Sequence, residues 1–523
     1  ISIILQFMIV DGKTQTTSVF IHGTEYRQED GKWYNYVQNR RGDEIIPERL
    51  VVRMSDRGSL ESFDFGELGI KGVSLASQRY LNGFYVLHIA ESENPFNIAR
   101  ILETTGLFDQ LHFDGFDGIG RNPATPDDPK FSEQWNLAMI EMEKAWDITT
   151  GSSDIILAFV DRGFEWQHED LAENLWQNLG EDANQNGKTL IFSNGEWIFD
   201  PDDDLDDQDN DGNGKLNDLI GWDFVNDDND PVEGGDHGTI TSGVAVAKTF
   251  NGVGIAGVAG GWQNRKGASL MVLGDGINNA PISSAVAQAI EYAVDKGAKV
   301  INMSTELDED YTDVKEAVQT AAQAGVIMVA AAGNNGGNSS KNKNIKFYPA
   351  LYPETITVGA TDQNDERWAD NSTRGSAIGE GILDLMAPGV LIWTTVNNNA
   401  YDPSNGTSEA APHVAGLAAL ILSLNSSLSD ATVESILKQT ADWQSWFNTE
   451  EYGSGRINAY EALKYTLENY GGTLSGEVLL TEDLTISSGA VLTVEEGTTI
   501  KFDPGIKLTI NGTLNVNGQS GSE

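Results

Sequence analysis

The chain reads Asn405-Gly406-Thr407-Ser408-Glu409-Ala410-Ala411-Pro412-His413-Val414-Ala415-Gly416-Leu417-Ala418-Ala419-Leu420-Ile421-Leu422-Ser423-Leu424. From position 410 onward this stretch is small and apolar on every side, so as a helix it must be buried all round. Ser408 opens that helix, and Pro412 costs little so close to its start, where the first four amides have no internal acceptor. The same unpaired amides and the helix dipole favour negative charge around Ser408. A hydroxyl on such a turn reads as a nucleophile beside an oxyanion site. A lone Ser before a helix reads more blandly as a cap, and the rest of the chain decides between the two.

Outward from this helix, short apolar runs at 155–160, 269–273, 300–303, 326–331 and 355–360 alternate with helical stretches at 283–296, 312–324 and 430–440. Such strands predict an α/β domain with a parallel sheet covered by helices on both faces. Functional residues then belong at the carboxyl ends of the strands. Asp161 follows the first run directly. His237 sits in Asp236-His237-Gly238-Thr239 before a small-residue helix, whereas His22, His88, His112 and His168 have ordinary surface or core readings and His413 lies inside the central helix. The segment 330–336, Ala-Ala-Ala-Gly-Asn-Asn-Gly, ends a buried strand in a glycine-bounded turn that aims the Asn334 amide into a cleft.

Asp plus Glu number 79 against 33 Lys plus Arg, a formal charge of −46. That argues against nucleic acid or an anionic membrane surface as a partner. The absence of Cys excludes thiol catalysis, Fe–S clusters and Cys-based zinc sites. No run approaches the roughly 20 apolar residues of a membrane span. Residues 1–10, apolar and without an initiating Met, read equally as the tail of a clipped secretion signal or as a first strand, on a chain that looks incomplete at its start. Residues 1–45 stay unassigned, 46–117 read as a small α+β unit, 118–130 as a linker and 131–469 as the α/β domain. From 470 to 523, the triplets Leu484-Thr485-Ile486, Leu492-Thr493-Val494 and Leu508-Thr509-Ile510 recur among Gly-bounded turns, the pattern of a truncated β-solenoid-like appendage.

Residues 202–218, Asp-Asp-Asp-Leu-Asp-Asp-Gln-Asp-Asn-Asp-Gly-Asn-Gly-Lys-Leu-Asn-Asp, are inserted between the Asp161 and His237 motifs. Asp207, Asp209 and Asp211 alternate, Gly212 follows and Asp218 closes the loop, with the Asn213 carbonyl at the seventh position. This matches a Ca2+ loop with a short closing arm. The bland alternative is a solvated acidic loop, but carboxylates crowded this closely repel one another unless a hard cation neutralises them.

Asp161 in Val-Asp-x-Gly, His237 in His-Gly-Thr, Asn334 in Ala-Ala-Gly-Asn and Ser408 in Gly-Thr-Ser-x-Ala-x-Pro-His-Val-Ala-Gly occur in the order of the subtilisin-like serine proteases, which the chain resembles over residues 126–467. The resemblance implies that Ser408 is the nucleophile, His237 its base, Asp161 the group that orients His237, and Asn334 an oxyanion donor. It implies substrate binding around Ser304, Thr305, Glu306, Ala332 and Gly333, and a prodomain at 46–117 that inhibits, chaperones and is cut from the enzyme in the linker. Three positions depart from the family: Arg162 replaces Thr, Glu409 replaces an uncharged residue, and Glu306 replaces Gly, where it should narrow the primary pocket or attract a basic residue. The reading is a secreted or cell-surface serine endopeptidase, made as a self-processing precursor and stabilised by calcium. Its partners are polypeptide substrates and its own prodomain, with a cell-surface contact through the C-terminal β region. The alternative is a catalytically silent scaffold with the same fold.

Overall fold

The computed structural model describes residues 125–517 apart from 194, 205–207, 233, 279 and 371, and within 17–115 the elements named below with short adjoining stretches. The chain divides into two compact units, Ile1–Asn122 and Pro123–Glu523. Residues 1–16, the turn at 82–83, the linker from 118 to 124 and Asp207 lie outside the described residues.

In the first unit, strands Thr17–Ile21, Thr24–Glu29, Lys32–Val37, Arg40–Met54, Phe84–Ile89 and Val73–Leu75 follow one another across an antiparallel sheet, and Phe108–Gly115 also pairs with Arg40–Met54. The expected division at residue 45 falls inside that 15-residue strand. Helix Pro95–Thr105 starts where Asn94 Oδ1 accepts the amides of Phe96 and Asn97 at 3.0 and 3.1 Å. Pro at the first helical position gives up an amide that has no acceptor anyway. The helix buries Phe96, Ile98, Ala99 and Leu102 in one cluster with Leu50, Val52, Tyr85 and Leu87.

The second unit is built on seven parallel strands: β1 (Ile156–Asp161), β2 (Gly221–Asp223), β3 (Ser269–Gly274), β4 (Val300–Met303), β5 (Ile327–Ala331), β6 (Ile356–Thr361) and β7 (Leu385–Pro388). Their order is β2-β3-β1-β4-β5-β6-β7. Alternate residues serve opposite faces. Leu157 and Phe159 of β1 join the core with α1 (His237–Val246), α4 (Thr407–Leu424) and α6 (Ala459–Tyr470), while Ala158 and Val160 join the core with α2 (Ser283–Asp295) and α3 (Thr312–Gln323). Helix α5 (Asp430–Gln439) adds Val433, Ile436 and Leu437 to the first of these cores. After β3 the chain crosses back over β1 into β4, so the strand order reverses there. The crevice beyond the carboxyl ends of β1 and β4 is where such a sheet takes its ligand.

Every residue of α4 except Ser423 is buried. A Cβ on Gly416 would stand 2.9 Å from Cβ of Val258, so only glycine lets the helix lie this close. Among the described residues, α4 is the one helix long and apolar enough to cross a membrane, and 94% of that window is buried inside the protein. Its apolarity is core packing.

After α6, seven short strands stack in parallel on three faces: Gly471–Leu474, Val491–Val494 and Thr513–Val516; Glu477–Leu480 and Thr499–Phe502; Leu484–Ile486 and Leu508–Ile510. The triplets at 484 and 492, eight residues apart in sequence, therefore lie on different faces. Leu484 pairs with Leu508, and Leu492 pairs with Gly472 and Leu514. Leu474, Val478, Leu484, Ile486 and Leu492 extend the core cluster that holds α6.

Candidate active site

Asp161 ends β1 and is fully buried. Its Oδ1 accepts from His237 Nδ1 at 2.7 Å and from the Arg162 amide at 2.9 Å, and its Oδ2 accepts from Thr241 Oγ1 at 2.9 Å. Burial alone would push this carboxyl up; the imidazole's charge and hydrogen bond, with help from Arg162, hold it below the usual carboxylate range. His237 is the first residue of α1, and its side chain keeps 21% exposure. Burial opposes its charged form, but the Asp161 charge and hydrogen bond outweigh this and leave it raised, with Glu409 adding to the rise and Arg162 opposing it.

Ser408 is the second residue of α4, and its carbonyl accepts from Ser304 Oγ at 3.0 Å. Asn334, just past β5, has its carboxamide oxygen held by the Thr407 amide at 2.9 Å and the Thr407 hydroxyl at 3.1 Å. With the oxygen held on Thr407, the first residue of α4, the NH2 is the end left to donate. The same Thr407 hydroxyl accepts the Gly333 amide at 3.1 Å, and Gly333 takes a φ of 101° that disfavours any side chain. Thus β1, β4, β5, α1 and α4 bring Asp161, Ser304, Asn334, His237 and Ser408 to one end of the sheet.

The two unexpected carboxyls have distinct settings. Glu409 is 3% exposed, with one oxygen accepting from Ser404 Oγ at 2.7 Å and Oε2 without a hydrogen-bond partner among the described residues. Burial holds it above the usual range, partly offset by the charge of His237. Glu306 is half-buried and accepts the Asn334 amide at 3.2 Å, so it braces the turn that carries Asn334. Burial raises it too. Thr305 and Ala332 are buried beside it. His413 is buried, hydrogen-bonded to the Glu409 carbonyl and to Asn136, and pushed down by burial to about 4, which suits a neutral structural role.

Sequence reasoning passed over Thr241 and Asp275. Asp275 comes just after β3, whose last residue Gly274 lies beside Asp161 at the end of β1; its amide donates to the Asp161 carbonyl at 2.8 Å, and burial pushes its carboxyl up to about 7. The signal for it was present, a carboxylate ending an apolar strand, but without a motif around it.

In the acidic insert the turn falls two residues later than the spacing implies. Asp209 Oδ1 accepts the amides of Gly212 and Asn213, and its Oδ2 accepts that of Gly214, at 2.8, 3.1 and 2.9 Å. Asp209, Asp211, Asn213 and Gly214 thus take the first, third, fifth and sixth places of the loop. Glu181, Asp209 and Asp211 each offer a carboxylate oxygen, all within 4.8 Å of one another. Hard oxygen donors in such a group suit Ca2+. Asp218 faces inward, receiving Asn178, Asn213 and Tyr292 at 2.8, 2.7 and 2.5 Å. Asp211 also pairs with Lys296.

Residues 152–470 match the model of the subtilase family of peptidases. The chain is 36% identical to thermitase of Thermoactinomyces vulgaris over 342 residues, 65% of this chain and 100% of that protein. It is 35% identical to a thermophilic serine proteinase of Bacillus sp. strain AK1, over 65% of this chain and 70% of that one. To the halolysin-like extracellular serine protease Nep of Natrialba magadii it is 31% identical, over 66% of this chain and 54% of that protein.

Proposed function

This chain belongs to the subtilase family and is a subtilisin-like serine endopeptidase, and from that premise we propose that its acyl-enzyme forms on Ser408. His237 takes the Ser408 proton on Nε2, the ring nitrogen opposite the one bonded to Asp161. Asp161 fixes the ring and stabilises its charged form, and the returned proton goes to the leaving amine. The Ser408 amide and the Asn334 NH2 hold the oxyanion. The observation that carries this reading is the 2.7 Å bond between Asp161 and His237 at the carboxyl end of β1, in the crevice where α4 begins. Substrate polypeptides add a strand along Ser304–Glu306, facing Ala332 and Gly333. A serine-reactive fluorophosphonate should label the processed protein and not Ser408→Ala. Processed wild type that stays unlabelled over a broad pH range would refute the assignment.

The same reading extends to the flanking parts. The segment 46–117 acts as an inhibitory, chaperoning prodomain that the active site removes within 118–130. The C-terminal strands from 470 onward form a β-solenoid-like appendage suited to a cell-surface contact, and the enzyme is secreted, in keeping with the word extracellular in the name of Nep. Calcium is held in the insert by Glu181, Asp209 and Asp211 with help from Asn213, neutralising carboxylates that otherwise repel. Chelation is then expected to lower the melting temperature and to speed autolysis within 182–230. An unchanged melting curve in metal-stripped protein would end the calcium reading.

A further inference from the structure

The alternation of the sheet sets a second polar row behind the catalytic one. Phe159 of β1 and Val272 of β3 face the core with α1 and α4, and Asp161 and Gly274 come two residues after them. Val160 of β1, Leu273 of β3 and Met303 of β4 face the core with α2 and α3, and two residues after them come Arg162, Asp275 and Thr305. Successive side chains of a strand point to opposite faces, so these three continue the second face. Because β1 lies between β3 and β4, Arg162 stands between the other two.

The backbone holds this row together. The Asp275 amide donates to the Asp161 carbonyl at 2.8 Å. A Cβ on Gly234 would stand 3.3 Å from Arg162 Cβ and 2.5 Å from the Gly276 carbonyl oxygen, so the arginine stem and the chain at 275–276 lie side by side beneath it. Asp275 is fully buried, and the Arg162 side chain keeps 11% exposure. Arg162 Nη1 reaches Asp161 Oδ1 at 3.5 Å, while its Nε is buried without a hydrogen-bond partner among the described residues. A buried guanidinium with a donor unspent persists only where negative charge faces it. Asp275 is placed to supply that charge. Burial and the charge of Asp161 push its carboxyl up, and the charge of Arg162 opposes them ahead of the Thr305 hydroxyl.

We propose that Arg162 and Asp275 are a buried pair of positioning residues, in which Arg162 bridges the catalytic carboxylate and the carboxylate behind it, so that the Asp161–His237 couple meets little net charge from that side. The proposal rests on the roles given above to Ser408 and His237. Carboxylates reach His237 from four elements: Asp161 ends β1, Asp275 follows β3, Glu306 follows β4 and Glu409 lies in α4. All four favour the imidazolium, and Arg162 is the cation set against them. Were Arg162 lost, Asp275, buried beside another anion, would take up a proton, and the two charges would leave together.

That coupling is read from the acid limb of the kcat/KM profile on a peptide anilide, with active sites counted by fluorophosphonate. Asp275→Asn should move the limb to lower pH by roughly half a unit, the scale of one partly screened charge. Arg162→Gln alone should leave the limb near the parent's position, yet in the Asp275→Asn background it should return the limb upward by the same amount. Arg162→Lys keeps the charge and should not return it. Equal shifts for Arg162→Gln in both backgrounds, or no shift in any variant, overturn the pair. A parent that does not label overturns the Ser408 assignment and this proposal with it; a parent that labels confines the failure to the pair. Melting temperatures of the fluorophosphonate-inactivated protein give a second readout that does not need Asp275→Asn to fold. A carboxyl raised on folding withdraws stability as pH climbs toward its folded pKa, and without Arg162 that climb continues beyond about 7. The deficit of Arg162→Gln against the parent should therefore widen as pH rises above that value. A deficit independent of pH would show a merely structural arginine and overturn the pair.

Discussion

Thr407→Val tests how the oxyanion asparagine is aimed. The Asn334 carboxamide oxygen receives two bonds from Thr407, from its amide at 2.9 Å and from its hydroxyl at 3.1 Å, and valine removes only the second. One neutral hydrogen bond is worth about 0.5–1.5 kcal/mol net. At about 1.4 kcal/mol per decade, kcat should fall by about two- to tenfold. KM should change little, because the Asn334 NH2 acts on charge that develops only in the transition state. Asn334→Ala removes the donor itself and should cost about a hundred- to a thousandfold, the magnitude known for this family's oxyanion asparagine. In the Asn334→Ala background, Thr407→Val should have no further effect on kcat. Thr407→Val also orphans the Gly333 amide that the Thr407 hydroxyl accepts, so it should lower the melting temperature in both backgrounds. The assay is kcat and KM on a peptide anilide, with active sites counted by fluorophosphonate. If Thr407→Val lowers kcat equally in both backgrounds, the hydroxyl does not act through Asn334.

Glu409→Gln keeps the bond to Ser404 but removes a charge that raises His237, so the acid limb of the kcat/KM profile should move to lower pH; an unmoved or upward-shifted limb would sink that reading. Ser408→Ala should accumulate as an uncleaved precursor, and its normal maturation in a protease-free host would show that Ser408 does not cut the N-terminal segment away. Glu306→Gly should broaden the residue accepted before the cleaved bond and weaken any preference for Lys or Arg, whereas Glu306→Gln, which can still accept the Asn334 amide, should keep kcat near the parent value. A cleavage profile that Glu306→Gly leaves unchanged would mean that Glu306 serves only the Asn334 loop.

What the sequence made legible was whatever local pattern alone determines. Helix α4 was readable because a stretch apolar on all sides has only a buried solution, and Asp161 because an apolar strand led into it. The strands Gly221–Asp223 and Leu385–Pro388 were missed, the first because it has only three residues and the second because Asp384 breaks its apolar run and Pro388 ends it. The loop register was ambiguous because Asp207-x-Asp209-x-Asp211-Gly212 and Asp209-x-Asp211-x-Asn213-Gly214 overlap. Only the three amides gathered by Asp209 choose between them. The C-terminal triplets showed their repeat but not their stacking, since a coil with three faces pairs residues about one full circuit apart rather than at the nearest recurrence.

The same distinction explains how so acidic a chain arrives at one committed anion beside its imidazole. Asp161, Glu409, Glu306 and Asp275 all act electrostatically with His237, and burial opposes the charge on each. Composition treats them alike; donors do not. Asp161 receives the imidazole, the Arg162 amide and the Thr241 hydroxyl. Glu409 receives one hydroxyl and Glu306 one amide, and Asp275 has only Thr305 to lower it by a hydrogen bond. Burial is opposed at Asp161 first by the charge of His237, then by its hydrogen bond and by Arg162, and the other three lack a bonded cationic partner of this kind. Asp161 alone is lowered and the other three are raised. The carboxylate that orients His237 is thus the one bonded to the imidazole itself, and it is also held by the amide of Arg162 and by Thr241, a threonine one turn into the helix that His237 begins and outside any motif centred on the aspartate.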